Sequence, residues 1–183
     1  MSTQSHLNSS AEFLLPPFSE VFHTSFLVPF LIYFTCFRLA SLYVKTFMWQ
    51  QFTGIKEYRL KNLSICLLHA MITGIWSTVF FFVYTREMFE NIIHWYQPWA
   101  AQLPIISVAY FVHDAFDMIT YEWSRWTIEL LFHHITSCFA LLCGILPRKF
   151  LLANYWALLM EGNRSDHILT KYRRHNHSNI QTI

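Results

Sequence analysis

Residues 63–84 read LSICLLHAMITGIWSTVFFFVY, 22 positions from Leu63 to Tyr84 without one Asp, Glu, Lys or Arg. An α-helix rises about 1.5 Å per residue, so about 20 apolar residues cross the hydrocarbon core of a bilayer. The stretch therefore predicts a transmembrane helix. Working outward, Val21–Val44, Ala101–Thr120 and Trp126–Leu146 are three further runs of spanning length. Arg38 interrupts the first, close enough to its end to snorkel toward the headgroups. Phe150–Met160 is apolar but too short to cross unaided. Composition agrees: 54% of the 183 residues are hydrophobic, 19% aromatic and only 13% charged. Soluble domains carry about 25% charged residues, so a soluble globular domain is excluded. The fold class expected is all-α, a multi-pass transmembrane helical bundle with four to five spans.

The charges gather between the spans. Lys45, Lys56, Arg59 and Lys61 separate the first two, opposed only by Glu57, so the positive-inside rule places that loop in the cytoplasm. The N-terminus and the Arg86–Gln102 segment are then outside. Arg148 and Lys149 fall outside against the rule, while Lys171, Arg173 and Arg174 obey it if Phe150–Met160 crosses. The first twelve residues contain no Lys or Arg, which makes them a poor signal-peptide start and the first span a retained anchor. Trp49, Trp95, Tyr96, Trp99, Trp123 and Trp126 sit at predicted span ends, where aromatic rings favour the headgroup level. The four cysteines, Cys36, Cys66, Cys138 and Cys143, lie within spans and form no C-x-x-C pair. Asn8-Ser-Ser is a glycosylation sequon on the side expected to be external.

Ionisable groups at membrane depth are costly, about 2.5–3.5 kcal/mol at a helix centre on insertion scales, and they mark functional candidates. Three spans carry them on helical faces. Tyr110, His113, Asp114 and Asp117 share a narrow arc of one span. Glu129, His133, His134, Thr136 and Ser137 share a broader face of the next. His69, Thr73, Trp76 and Ser77 group on the 63–84 span, with Asn62 and Cys66. Such stripes are satisfied by facing one another or a wet cavity. Three readings stay open. The groups lock helices together through hydrogen bonds; they form an acyl-transfer or lipid-binding site in which a His beside an Asp acts as base; or the i, i+4 pairs His113–Asp117 and Glu129–His133 hold a metal.

The run Tyr110-Phe-Val-His-Asp-Ala-Phe-Asp-Met118, followed by Glu129-Leu-Leu-Phe-His-His134, resembles the TLC domain shared by translocation-associated and ceramide-synthesis proteins. Lys61-Asn-Leu-Ser-Ile-Cys-Leu-Leu-His69-Ala, then Thr73-Gly74 and Trp76, is similar to the start of one branch, and Phe37-Arg38 fits it too. That branch comprises small plasma-membrane proteins that regulate phospholipid composition and fluidity. In ceramide synthases the His-His pair precedes the His-Asp element; here Asp114 and Asp117 precede His133 and His134, the order of the fluidity branch.

The resemblance implies a non-enzymatic regulator that limits polyunsaturated acyl chains in phospholipids, at the plasma membrane or alternatively the endoplasmic reticulum. The other activity it implies is a ceramide-synthase-like acyltransferase using His133, His134, Asp114 and Asp117. The lipid-binding or polar cavity would comprise His69, Thr73, Trp76, Tyr110, His113, Asp114, Asp117, Glu129, His133 and His134. Expected partners are membrane lipids, lipid-metabolising enzymes and a second copy of the chain as a homo-oligomer, but not nucleic acid. No metal or cofactor is expected. After Glu161-Gly-Asn163 the sequence departs from the family: RSDHILTKYRRHNHSNIQTI is polar, basic and rich in His. The expected organisation is a polar segment over 1–20, a partial TLC domain over 21–163 and a disordered basic tail over 164–183. The expected architecture is a C-terminally truncated six-helix TLC barrel, left open on one side.

Overall fold

The computed structural model describes residues 18–121 and 125–160. Most of the expected N-terminal segment with its sequon, Trp123, the Trp126 side chain and the basic tail lie outside the described residues. Among the described residues every regular element is helical. After a 3-10 turn at Phe18–Phe22 come α1 (Thr24–Phe47), α2 (Ile55–Val83), α3 (Thr85–Glu90), α4 (Gln102–Tyr121) and α5 (Arg125–Ile145). A further helix, α6, runs over Leu151–Met160. Four of these, α1, α2, α4 and α5, are long and apolar enough to cross a membrane, as the four long apolar runs predict. The chain is an integral membrane protein.

The first two spans depart most from the sequence expectation in their bounds. The second span begins at Ile55, well before Leu63, so the charged stretch expected as loop is largely the first two turns of α2. Nothing between Gly54 and Leu63 breaks a helix, and Lys61 pairs with Glu57 one turn earlier at 2.5 Å. The Lys61 ammonium also donates to the Lys45 carbonyl at 2.8 Å, covering an unpaired carbonyl in the last turn of α1. The connection is tight: Gly54 has φ +69°, a left-handed conformation that a Cβ would strain. Trp49 closes it by donating from Nε1 to the Ser64 hydroxyl at 2.9 Å. The first span, likewise, runs over Thr24–Phe47 instead of Val21–Val44. Arg38 therefore lies more than two turns inside the helix, and its guanidinium forms an ion pair with Asp117, close to the end of α4.

The bundle is organised around α4. In the most apolar 18-residue window of each span, 72% of α4 is buried, against 17–28% for the other three. α4 packs chiefly on α1 and α5, and less extensively on α2. Its two ends are held differently. At the end where α2 finishes and α4 begins, Tyr33 of α1 donates to Gln102 at 3.1 Å, and Phe80, Tyr84, Trp95 and Trp99 form an aromatic cap of mostly edge-to-face and tilted rings. Tyr155 of α6 joins that cap over Phe80 and donates its hydroxyl to the Ala100 carbonyl at 2.9 Å. At the other end the contacts are charged.

α6 folds back against α5. Ten residues reach about 15 Å, half a bilayer core. The approach is allowed by Gly144: Asn154 fills the space a side chain would occupy and donates to the Leu141 carbonyl at 3.0 Å. A Cβ on Gly144 would stand 2.8 Å from the Asn154 carboxamide carbon. Gly144→Ala is therefore expected to lower stability by about 1–3 kcal/mol, the range for overpacking a close contact. Thermal unfolding in detergent reads this; a Gly144→Ala protein as stable as the parent would remove α6 from the packed core.

Candidate functional site

Along α4, Ser107, Tyr110, Asp114 and Asp117 recur at three- and four-residue steps, so they form one stripe beside His113. All five are buried. Each meets a different neighbour, and the sequence of partners climbs the helix from the aromatic end to the charged end.

The stripe begins with His69 of α2, whose Nε2 lies 3.2 Å from the Ser107 hydroxyl. Its ring stacks on Tyr110 with centroids 4.0 Å apart. Thr73 and Ser77, on the same face of α2, are buried but turn their hydroxyls onto their own helix, donating to the carbonyls of His69 and Thr73. They smooth the interface and contribute no donor to the cluster. Trp76 is only half-buried and lines a separate apolar groove of about 770 Å³ with Leu68, Met71, Ile75, Val79 and Trp99. That groove contains none of the His or Asp side chains.

One turn on, His113 packs between Phe34 and Phe37 of α1. Its Nδ1 has no hydrogen-bond partner among the described residues. Asp114 faces the opposite neighbour: its Oδ2 lies 3.0 Å from His134 Nε2 on α5, with both side chains almost fully buried. The other nitrogen, His134 Nδ1, lies 2.7 Å from the Leu130 carbonyl. A carbonyl can only accept, so Nδ1 carries a proton. A second proton must then lie between Nε2 and Oδ2, because two lone pairs would repel at that distance. The pair is electrically neutral as a unit whichever atom holds that proton. Neutrality is what makes it tolerable at this depth. The second carboxylate oxygen, Oδ1, has no partner among the described residues.

Asp117 ends the stripe with an ion triad. Arg38 meets Oδ1 at 2.8 Å and Lys45 meets Oδ2 at 2.8 Å, both from α1. Ser41 adds a longer contact of 3.4 Å. The Lys45 ammonium also lies 4.9 Å from the centre of the Tyr121 ring.

The broad face expected on α5 is divided. His134 is buried and His133 half-buried, whereas Glu129 and Thr136 are exposed. The residues span nearly half a turn of arc, and the buried side runs through Thr127, His134 and Leu141, at intervals of seven. Glu129 thus stands apart from the cluster. Among the described residues no three His, Cys, Asp or Glu side chains converge as metal ligands. Arg38, Ser41 and Lys45 were absent from the sequence-derived cavity. Their signal was available: at spacings of three and four they share one face of α1.

The sequence profile of the TLC domain matches residues 59–164, more than half of the chain. TLC domain-containing protein 2 of Danio rerio is 31% identical over 108 residues, 58% of this chain and 43% of that protein. TLC domain-containing protein 1 of Gallus gallus is 31% identical over 106 residues, covering 58% and 42%. The human TLC domain-containing protein 1 is 26% identical over 135 residues, covering 66% and 54%. The chain thus spans about half the length, or less, of these relatives. No solved structure matches it.

Asp117→Asn should cost about 2 kcal/mol, between the value of an exposed pair and that of a fully buried one, since Asp117 is buried while its cations are partly exposed. Arg38→Gln should cost less, because Lys45 still neutralises the carboxylate. Unfolding midpoints of the two variants check the order; equal or reversed losses would show that the triad does not hold α1.

Proposed function

The chain belongs to the TLC-domain family, and from that premise we propose that it is a non-enzymatic regulator of membrane phospholipid composition. In this reading it restrains fluidity at the plasma membrane by limiting polyunsaturated acyl chains in phospholipids. The observation that carries it is the commitment of the His–Asp groups to helix pairing. His134 spends both ring nitrogens, one on the Leu130 carbonyl and one on Asp114. A general base needs a lone pair facing substrate, and neither nitrogen of His134 offers one in this arrangement. The order of the motifs, with Asp114 and Asp117 ahead of the His pair, supports the same side.

A ceramide-synthase-like acyltransferase draws on the same dyad, since a carboxylate 3.0 Å from an imidazole is the arrangement that orients a catalytic His. It would require His134 to release one partner, or His133 to serve instead. Lipid-metabolising enzymes and a second copy of the chain are the partners through which a regulator without chemistry of its own would act.

Deleting the protein from cells fed a polyunsaturated fatty acid should raise the polyunsaturated fraction of their phospholipids and lower membrane order. Re-expression should reverse both, and so should Asp114→Asn when matched for folded protein level, because Asp114 pairs helices and performs no chemistry. An unchanged lipidome on deletion would overturn the proposal. Purified protein given labelled acyl-CoA with sphingoid bases or lysolipids should form no product above a His134→Ala control; turnover would hand the site to the acyltransferase reading.

A further inference from the structure

The charged end of the bundle holds a pocket of about 270 Å³ between α1, α2 and α4, separate from the Asp114–His134 pair. Ser41, Lys45, Glu57, Lys61, Asn62 and Asp117 contribute its polar walls, and Tyr58 and Tyr121 flank it. Lys45 lies two residues before the end of α1, and Glu57 and Lys61 lie in the first two turns of α2. These positions correspond to headgroup depth for the spans they terminate, with the lysine stems reaching along apolar surface.

The connected charges do not balance. Asp117 is met by both Arg38 and Lys45, and Glu57 by Lys61. Among the described residues three cations meet two carboxylates, so the network carries one surplus positive charge, supplied by Arg38, which meets Asp117 from outside the pocket wall. The donors are also not used up. An ammonium has three N–H bonds; Lys45 spends one on Asp117, and Lys61 spends two, on Glu57 and the Lys45 carbonyl. Three N–H bonds therefore remain for other acceptors among the described residues, and both lysines line the pocket.

We propose that this pocket binds the phosphodiester of a singly anionic phospholipid headgroup, held by Lys45 and Lys61 with the Asn62 amide as a neutral donor. A phosphodiester brings one negative charge and acceptor oxygens, which match the spare charge and the spare donors. A phosphatidylglycerol headgroup adds no cation. Phosphatidylcholine is a zwitterion whose quaternary ammonium has no N–H to give Glu57 or Asp117 and leaves the surplus charge uncancelled, so the pocket favours phosphatidylglycerol. The inference deepens the lipid role proposed above by naming the headgroup the protein recognises, and it is read on purified protein, where cellular lipid composition plays no part.

The test is native mass spectrometry of the full chain in detergent with equal amounts of phosphatidylglycerol and phosphatidylcholine of matched acyl chains. The parent should retain phosphatidylglycerol preferentially. Lys61→Gln should weaken that retention about tenfold, the worth of one charge-assisted hydrogen bond, and Lys45→Gln by a similar factor. Lys45→Arg should keep it, because the charge and a donor remain. Lys149→Gln, at the opposite end of the bundle, should leave it unchanged. Because Lys45→Gln also weakens the Asp117 triad, Lys61→Gln decides the matter if that variant does not fold. Equal retention of the two lipids, survival of the preference in Lys61→Gln, or an equal loss in Lys149→Gln would overturn the proposal. Displacement of the lipid by millimolar inorganic phosphate would assign the pocket to a soluble phosphate and overturn the headgroup reading. A null result here with a positive lipidome test would remove the pocket and leave the regulator.

Discussion

Two carboxylates on one membrane helix set the arrangement of the bundle. Asp114 and Asp117 are three residues apart on α4, about 60° around the helix. That angle is enough to send them to different neighbours: Asp114 to His134 on α5, Asp117 to Arg38 and Lys45 on α1. In water such groups would be indifferent to partner. In a bilayer an unpaired carboxylate cannot be left against lipid, so each fixes the rotation and register of the helix that neutralises it. Individual polar contacts between membrane helices contribute only about 0.6 kcal/mol on average. Their influence on arrangement comes from the cost of the alternatives, not from the strength of the bond.

The same constraint explains why the least apolar of the four spans is the most buried. In a soluble bundle the most apolar helix goes to the centre. Here the lipid accepts apolar faces without cost, and α4, with Ser107, His113, Asp114 and Asp117, goes inside because it cannot be outside. α1, α2 and α5 expose Leu39, Leu42, Ile75, Phe82, Phe132 and Ile135, the surface expected where acyl chains are the solvent. Packing then specialises by position. Aromatic rings close one end, the Gly144–Asn154 approach seats α6 near it, and ion pairs close the other.

The spans were legible because an uncharged run of bilayer length has few other uses, and the residues 63–84 carry that signal alone. Boundaries were less legible. Lys56, Glu57, Arg59 and Lys61 read as loop because charge marks loops on average, yet Glu57 and Lys61 are spaced to pair on a helix, and they do. Of the candidate site, the α4 stripe was readable because its residues fall within a narrow arc. The α5 stripe was not, since an arc wide enough to include Glu129 and His134 must straddle the buried and exposed sides. The ion pair of Arg38 was not legible for a different reason. Snorkelling and ion pairing use the same residue at the same depth, and only a partner on another helix separates them. That partner, Asp117, is 79 residues away in the chain.

Charge along the interior also has a direction. Near the middle of the bundle His69 meets the Ser107 hydroxyl at 3.2 Å. Further along, Asp114 and His134 cancel as a pair. Only at the end, within reach of headgroups, does the network tolerate a surplus, with Arg38 and Lys45 both on Asp117. The cost of an uncompensated charge falls steeply toward the interface, where water and phosphate are available to solvate it. A surplus cation is therefore affordable at that level and nowhere deeper, and it is most stable when an anion supplied by the membrane completes it. On that argument the proposed headgroup would be the counter-charge that completes the α1–α4 contact. Occupancy of the pocket and the seating of α1 should then respond to each other, because a ligand that prefers one arrangement stabilises that arrangement by its differential affinity.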